Sequence, residues 1–267
     1  MTRESYTHGH HPSVVRSHSW RTVENSASYL ADALVPGASV LDVGCGPGTI
    51  TVDIAERVAP GRVVGMDSSI EIVEQAAGLA KERGLTNVEF LVGNAYALDF
   101  PNETFDVVHA HQVLQHVARP VDVLREMRRV RTAGGVVGAR DVVYGGTIWY
   151  PENRGLDDWL RILLQVHYGN GGDPNAGRSL KAWALEAGYT DVAADASIWC
   201  FASDEDREWW GGNWSQRALY SQFAKDAVAG GFATARELQH ISEAWLEYVT
   251  QPNAWYAMPH GEILARG

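Results

Sequence analysis

Two rhythms of apolar residues alternate along this chain. Short apolar runs at 40–43, 62–67, 88–92, 105–110 and 136–143 read as buried strands. Between them, apolar positions three and four apart at 50–58, 70–83 and 121–130 read as helices. Ser68-Ser69 caps the second of these with Glu71 in its first turn, and Gly84 ends it. Before the first strand, Val23, Ala27, Leu30, Ala31 and Leu34 share one face of a helix expected over 20–34, with Arg21 and Glu24 facing out and Pro36-Gly37 as the stop.

Such alternation predicts an α/β fold with a doubly wound parallel sheet. The regularity breaks after Tyr144. Helices are expected at 156–167, 179–187, 204–229 and 234–249, and strands at 192–201 and 255–264, which brings the sheet to seven strands. With no linker between the halves, the later helices read as an insertion closing over the sheet of a single domain. Its parts are N-terminal cap helices (1–37), a core (38–143), a helical cap (144–188 and 202–253) and the last strands (189–201 and 254–267).

Charge and composition narrow the partners. Lys and Arg total 22 against 33 Asp and Glu, a formal charge of −11, which opposes a grip on nucleic acid. Arg125, Arg128, Arg129 and Arg131 recur at helical spacing and read as a solvated face. No apolar stretch is long enough to span a bilayer, and the N-terminus lacks the apolar centre of a signal peptide, so a cytoplasmic protein without membrane contact is expected. Cys45 and Cys200 are too few for a disulfide framework or a four-cysteine zinc site. His8, His10 and His11 lie close together without an acidic or cysteine partner, so no metal site is expected. A homodimer is admitted by the composition and not required by it.

Leu41-Asp42-Val43-Gly44-Cys45-Gly46-Pro47-Gly48-Thr49 joins the first strand to the first helix. Alternate glycines let the backbone turn tightly and approach a ligand, and the helix start aims unpaired N–H groups at it. A dinucleotide loop places its third glycine one position later, where Thr49 stands, which disfavours a nicotinamide oxidoreductase. Asp67 ends the second strand 23 residues beyond Gly44, the interval that puts a carboxylate beside a ribose.

An acid followed by Gly-x-Gly-x-Gly resembles the first motif of the class I S-adenosylmethionine-dependent methyltransferases. The resemblance covers about residues 38–143 and implies a Rossmann-like sheet, mostly parallel with an antiparallel last strand. It assigns Asp42, Gly44, Cys45 and Gly46 to the loop around the methionine part, and Asp67 with Ser68 to the ribose. Asn94 and Ala95 fall to the adenine, with the Asn94 side-chain oxygen expected toward the adenine amino group, and His111 beside Ala110 falls to the methionine end. Beyond the core, Tyr6-Thr7-His8-Gly9-His10-His11, Arg16-Ser17-His18, Arg21 to Ser26, Ala254-Trp255-Tyr256 and Gly261-Glu262 resemble the ubiquinone/menaquinone-biosynthesis-like small-molecule methyltransferases. This implies that the N-terminal segment folds over the cofactor, with Tyr6 touching it and Arg21 pairing with the methionine carboxylate.

The implied reaction transfers a methyl group from S-adenosylmethionine to a small metabolite, leaving S-adenosylhomocysteine. A base is needed only if the acceptor must lose a proton; candidates are His116, Asp141 and Tyr6, with His111 and Tyr144 behind them. Asp141 could also orient an acceptor amine or indole N–H. Of ten Trp residues most lie in the second half, and Trp159, His167, Trp209, Trp214 and Tyr256 are expected to line a pocket for a flat aromatic acceptor. The expected function is methylation of an aromatic or nitrogen-containing secondary metabolite. The alternatives are a non-catalytic nucleotide-binding protein and a methyltransferase of quinone-type biosynthesis.

Overall fold

The computed structural model describes Thr7 and residues 20–267. Among these, one sheet holds eight strands: β1 (Val40–Val43), β2 (Val63–Asp67), β3 (Val88–Val92), β4 (Phe105–His111), β5 (Arg131–Val142), β6 (Ile148–Tyr150), β7 (Asp191–Phe201) and β8 (Trp255–Arg266). The first five are parallel, in the order β3-β2-β1-β4-β5. β8 runs antiparallel along β5, and β7 runs antiparallel along the other edge of β8. The start of β8 projects past β5 and takes the short β6 on that edge, Ile148 opposite Ala257 and Tyr150 opposite Trp255. The seven expected strands are all present. β6 is an addition whose three residues are too short to register as an apolar run.

Nine α-helices surround the described sheet: α1 (Val23–Ser26), α2 (Thr49–Val58), α3 (Ile70–Glu82), α4 (Pro120–Val130), α5 (Arg154–Gly169), α6 (Leu180–Glu186), α7 (Asp204–Tyr220), α8 (Gln222–Ala229) and α9 (Ala235–Thr250). Side chains satisfy the first amides of several: Ser69 caps α3, Ser203 with Asp206 boxes α7, and Thr234 with Glu237 boxes α9. Two expected helices are broken. The 20–34 stretch closes a capping box between Thr22 and Asn25, forms only α1, and restarts after Ala27, which leaves the helical region at φ −142°, as a 3-10 turn over Ser28–Ala33. Its apolar positions still face the sheet, and Glu24 faces out as expected. Arg21, expected to face out as well, lies ahead of the helix and turns inward. The 204–229 stretch divides at Ser221, whose extended backbone separates α7 from α8 and whose hydroxyl donates to the Arg217 carbonyl at 2.7 Å.

Three apolar clusters hold these layers together. Val23, Leu30, Val40, Ile54 and Val107 fill one face of the sheet, and Leu41, Val64, Val108, Leu124 and Ile263 fill the other. The third cluster belongs to the cap, where Trp159, Ile162, Trp214, Trp245 and Tyr256 pack together. Burying a large apolar side chain contributes about 1.5–3 kcal/mol, so the cap carries a core of its own. Strand order reverses between β1 and β4, which opens a crevice at the carboxyl ends of those strands.

Candidate active site

The crevice is built first from backbone. Gly44, Gly46 and Gly48 all adopt left-handed φ, at +71°, +56° and +85°. A Cβ on Gly44 would overlap Val113, so the loop after β4 closes directly over it. At Gly46 a Cβ would meet nothing within 4 Å; the loop turns there toward open space. The amides of Gly44 and Cys45 both donate to the Met66 carbonyl, at 2.7 and 2.9 Å, and tie the loop to the end of β2. Burial, with the charges of Asp42 and Asp67, pushes the Cys45 thiol well above its usual range, leaving it a small uncharged filler.

Asp67 is oriented by the same loop. One carboxylate oxygen accepts from the Gly46 amide at 3.2 Å, the other from the Ser69 amide at 3.1 Å. Each oxygen keeps a second lone-pair direction, and the residue is only half buried, with Ser68 exposed beside it. Asp42 differs. It is buried beneath the loop, with one oxygen accepting from the Thr51 hydroxyl at 2.6 Å and the other paired with His109 Nδ1 at 2.8 Å. Its carboxylate is engaged in fixing β1 to α2 and β4. Asn94 also departs from expectation: it is exposed, and its side-chain oxygen accepts from the Tyr96 amide at 2.9 Å, turned onto its own loop. Ala95 packs half-buried against the sheet.

Arg21 reaches the end of β4, where its Nη2 donates to Gln112 Oε1 at 2.6 Å and its guanidinium lies 5.6 Å from the Trp199 ring centre. His111 is buried between His109 and Trp199, with ring centres at 6.4 and 5.8 Å. Burial, helped by the charges of Arg21 and Arg140, drives its pKa well below the usual value. Neither ring nitrogen finds a hydrogen-bond partner among the described residues.

Beyond the carboxyl end of β4, His116 stacks on His167 at 5.4 Å, and Tyr144 lies 5.6 Å from His167. Burial and the neighbouring His167 lower the His116 pKa well below its ordinary value; burial alone lowers that of His167 to about 3. Burial raises the Tyr144 hydroxyl to about 12. All three are neutral at neutral pH. Asp141 is also buried, and its two oxygens accept from the Leu114 and Gln115 amides, both at 3.2 Å. It anchors the turn over Leu114–His116 from within the fold. Burial pushes its pKa up to about 7 against the opposing pull of those amides.

The expected tryptophan-lined pocket is corrected by the packing. Trp159, Trp214, Tyr256 and His167 are fully buried. Trp159 meets Trp214 and Trp245 edge-on at 4.8 and 5.0 Å, and Trp209, only partly buried, packs on Trp20. These rings fill one another's space because the cap helices need an interior of their own. Tyr6 and the early histidines lie outside the described residues. Thr7 is buried, and its hydroxyl oxygen accepts from Asn170 Nδ2 at 3.1 Å, at the end of α5.

A parallel sheet that reverses between β1 and β4, with a glycine loop on β1 and an oriented carboxylate closing β2, defines an α/β protein built to hold a nucleoside. A family profile described as a methyltransferase domain matches residues 34–164. An uncharacterized methyltransferase of Schizosaccharomyces pombe is 34% identical across 97% of this chain and 95% of its own. A demethylmenaquinone methyltransferase of Lactococcus lactis is 43% identical over 38% of this chain and 40% of its own. The YcgJ protein of Bacillus subtilis superimposes with a TM-score of 0.59 at 20% identity, covering 94% of this chain and 98% of the other. The chain belongs to the class I S-adenosylmethionine-dependent methyltransferases.

Proposed function

We propose that this enzyme methylates a small aromatic or nitrogen-containing metabolite, within secondary metabolism, using S-adenosylmethionine bound over Gly44–Gly46 and Asp67. The observation that carries the cofactor assignment is the pairing of an open left-handed turn at Gly46 with a carboxylate that the loop itself orients. Asp67, with Ser68 beside it, holds the ribose hydroxyls through its remaining lone pairs. Asn94 and Ala95 flank the adenine, and His111 and Arg21 sit at the methionine end, Arg21 as partner of the carboxylate. A cofactor held by these residues would supply the sulfonium methyl group for transfer to the acceptor, with S-adenosylhomocysteine as the leaving group.

The chain's contribution is placement and exclusion of water. His116, kept neutral by burial and stacked on His167, orients the acceptor and is the group placed to receive its proton where one is lost. Tyr6 remains a second candidate for that role. The acceptor lies between the carboxyl ends of β4 and β5 and the underside of the cap. The whole chain works as one domain in solution, without nucleic acid.

The demethylmenaquinone relatives support a second reading, quinone-type biosynthesis. The match is too short to span both core and cap, so the residues that would choose an acceptor are not all included in it. Incubating the protein with methyl-labelled S-adenosylmethionine and a pool of small metabolites distinguishes the two. Label in an aromatic amine, indole or phenol supports the first, label in a prenylated quinone the second, and cofactor binding without any labelled product contradicts both.

A further inference from the structure

Four atoms on Gln112 and His260 resolve into a single hydrogen-bond direction. His260 Nδ1 lies 3.0 Å from the Met258 carbonyl, which can only accept, so Nδ1 carries the proton. Burial, with the positive charges of Arg140 and Arg21, keeps this imidazole neutral, so Nε2 is a bare acceptor. Gln112 Nε2 stands 2.9 Å away and must be the donor. The amide oxygen therefore faces Arg21, whose Nη2 donates to it at 2.6 Å. Flipping the amide would set donor against donor at Arg21 and acceptor against acceptor at His260.

The backbone is shaped for this placement. Gln112 has φ of +53°, a left-handed conformation that is costly for a residue bearing a side chain, and its amide donates to the Arg140 carbonyl at 2.7 Å. Behind it, the His260 ring packs 4.5 Å from that of Trp199, and Trp199 Nε1 donates to the Asn25 carbonyl. Asn25 Nδ2 in turn donates to the Trp20 carbonyl at 3.0 Å, so the same assembly holds the backbone next to Arg21. An amide at position 112 orients the guanidinium without cancelling its charge. A carboxylate there would neutralise it and compete with any acidic ligand.

We infer that Gln112 and His260 are positioning residues: together they fix the Arg21 guanidinium for the methionine carboxylate of the cofactor, so that affinity for the amino-acid end of the ligand depends on a neutral relay. This rests on the assignment of Arg21 to that carboxylate. Calorimetry on the full chain tests it with two probes, S-adenosylhomocysteine and 5′-methylthioadenosine, which keeps the nucleoside and thioether but lacks the carboxylate. Gln112→Gly suits the left-handed backbone and removes only the relay, and methylthioadenosine binding serves as its folding control. The expected result is a loss of about tenfold for S-adenosylhomocysteine and less than about twofold for methylthioadenosine. His260→Leu shows the same selective loss at about threefold, and Gln112→Gly adds less than about twofold in an Arg21→Ala background. Equal losses for both probes, or none for either, overturn the relay. If Arg21→Ala is selective and Gln112→Gly is not, the relay fails while the carboxylate assignment stands; if Arg21→Ala is not selective, that assignment fails and takes the relay with it.

Discussion

The cradle at the ends of β1 and β2 and the cap above β5 are rigid for opposite reasons. Around Gly44–Asp67 the chain is held by main-chain hydrogen bonds to the Met66 carbonyl and the Asp67 carboxylate, and small residues leave space at the turn. In the cap, Trp159, Trp210, Trp214 and Trp245 interlock with Tyr256, and the space is consumed by the rings themselves. The first arrangement leaves open space at the turn, whereas the second fills its space and stabilises the helical layer. Conspicuous aromatic composition therefore marks packing here.

The boundary between the two is the most direct place to break the contrast. His111, His116, His167 and His260 lie there, and burial lowers all four pKa values below their unfolded value of about 6.5. The unfolded chain takes up these protons first, so the stability is fully present above pH about 6.5 and is lost as pH falls toward the folded values. Unfolding free energies from denaturant titrations should fall steeply between pH 7 and 4. A flat profile would contradict the burial of these rings.

Next in size is Trp159→Ala, which opens a cavity at the centre of the cap. A loss of about 3–5 kcal/mol in unfolding free energy is expected. Affinity for S-adenosylhomocysteine in the protein that remains folded should stay within about threefold, since the cradle is held independently. A loss of both together would mean that the two regions are not separate in the way described.

Asp141→Asn is a smaller perturbation. It replaces one acceptor facing a backbone amide with a donor, at a cost of about 1–3 kcal/mol by denaturation. Because burial raises the folded pKa of Asp141 to about 7 from an unfolded value of about 3.9, its contribution is fully present below pH about 4 and lost as pH rises through 7. The advantage of the wild type over Asp141→Asn should therefore shrink across that window. An advantage that grows with pH would show that the carboxyl is ionised within the fold.

Much of the core was legible in the residues because its signals are local. Glycines that need left-handed φ, an acid at the end of the second strand and apolar runs of strand length are all visible without tertiary information. What could not be read depends on register or on backbone angle. Asp42 and Asp67 both lie near the glycine loop, but only β1–β4 pairing sets Asp42 opposite His109 and spends it there. Gln112 is unremarkable as a residue type, and its left-handed φ of +53° cannot be read from sequence. His260 is far from Gln112 in sequence and meets it only through β8. The early end of α1 lies at Ala27, where φ of −142° leaves the helical region, and the unbroken apolar spacing of 20–34 carries no sign of it. The one signal that could have flagged the tryptophans as core was their recurrence at helical spacing, as in Trp210 and Trp214.

The most direct measurement is calorimetric titration of S-adenosylhomocysteine into the wild-type chain and into Asp67→Ala. Saturable binding to the wild type, weakened at least about tenfold by the substitution, about 1.4 kcal/mol, is the predicted result. Wild-type protein that gives no binding heat, or an Asp67→Ala variant that binds as tightly as the wild type, would contradict the account of the cradle.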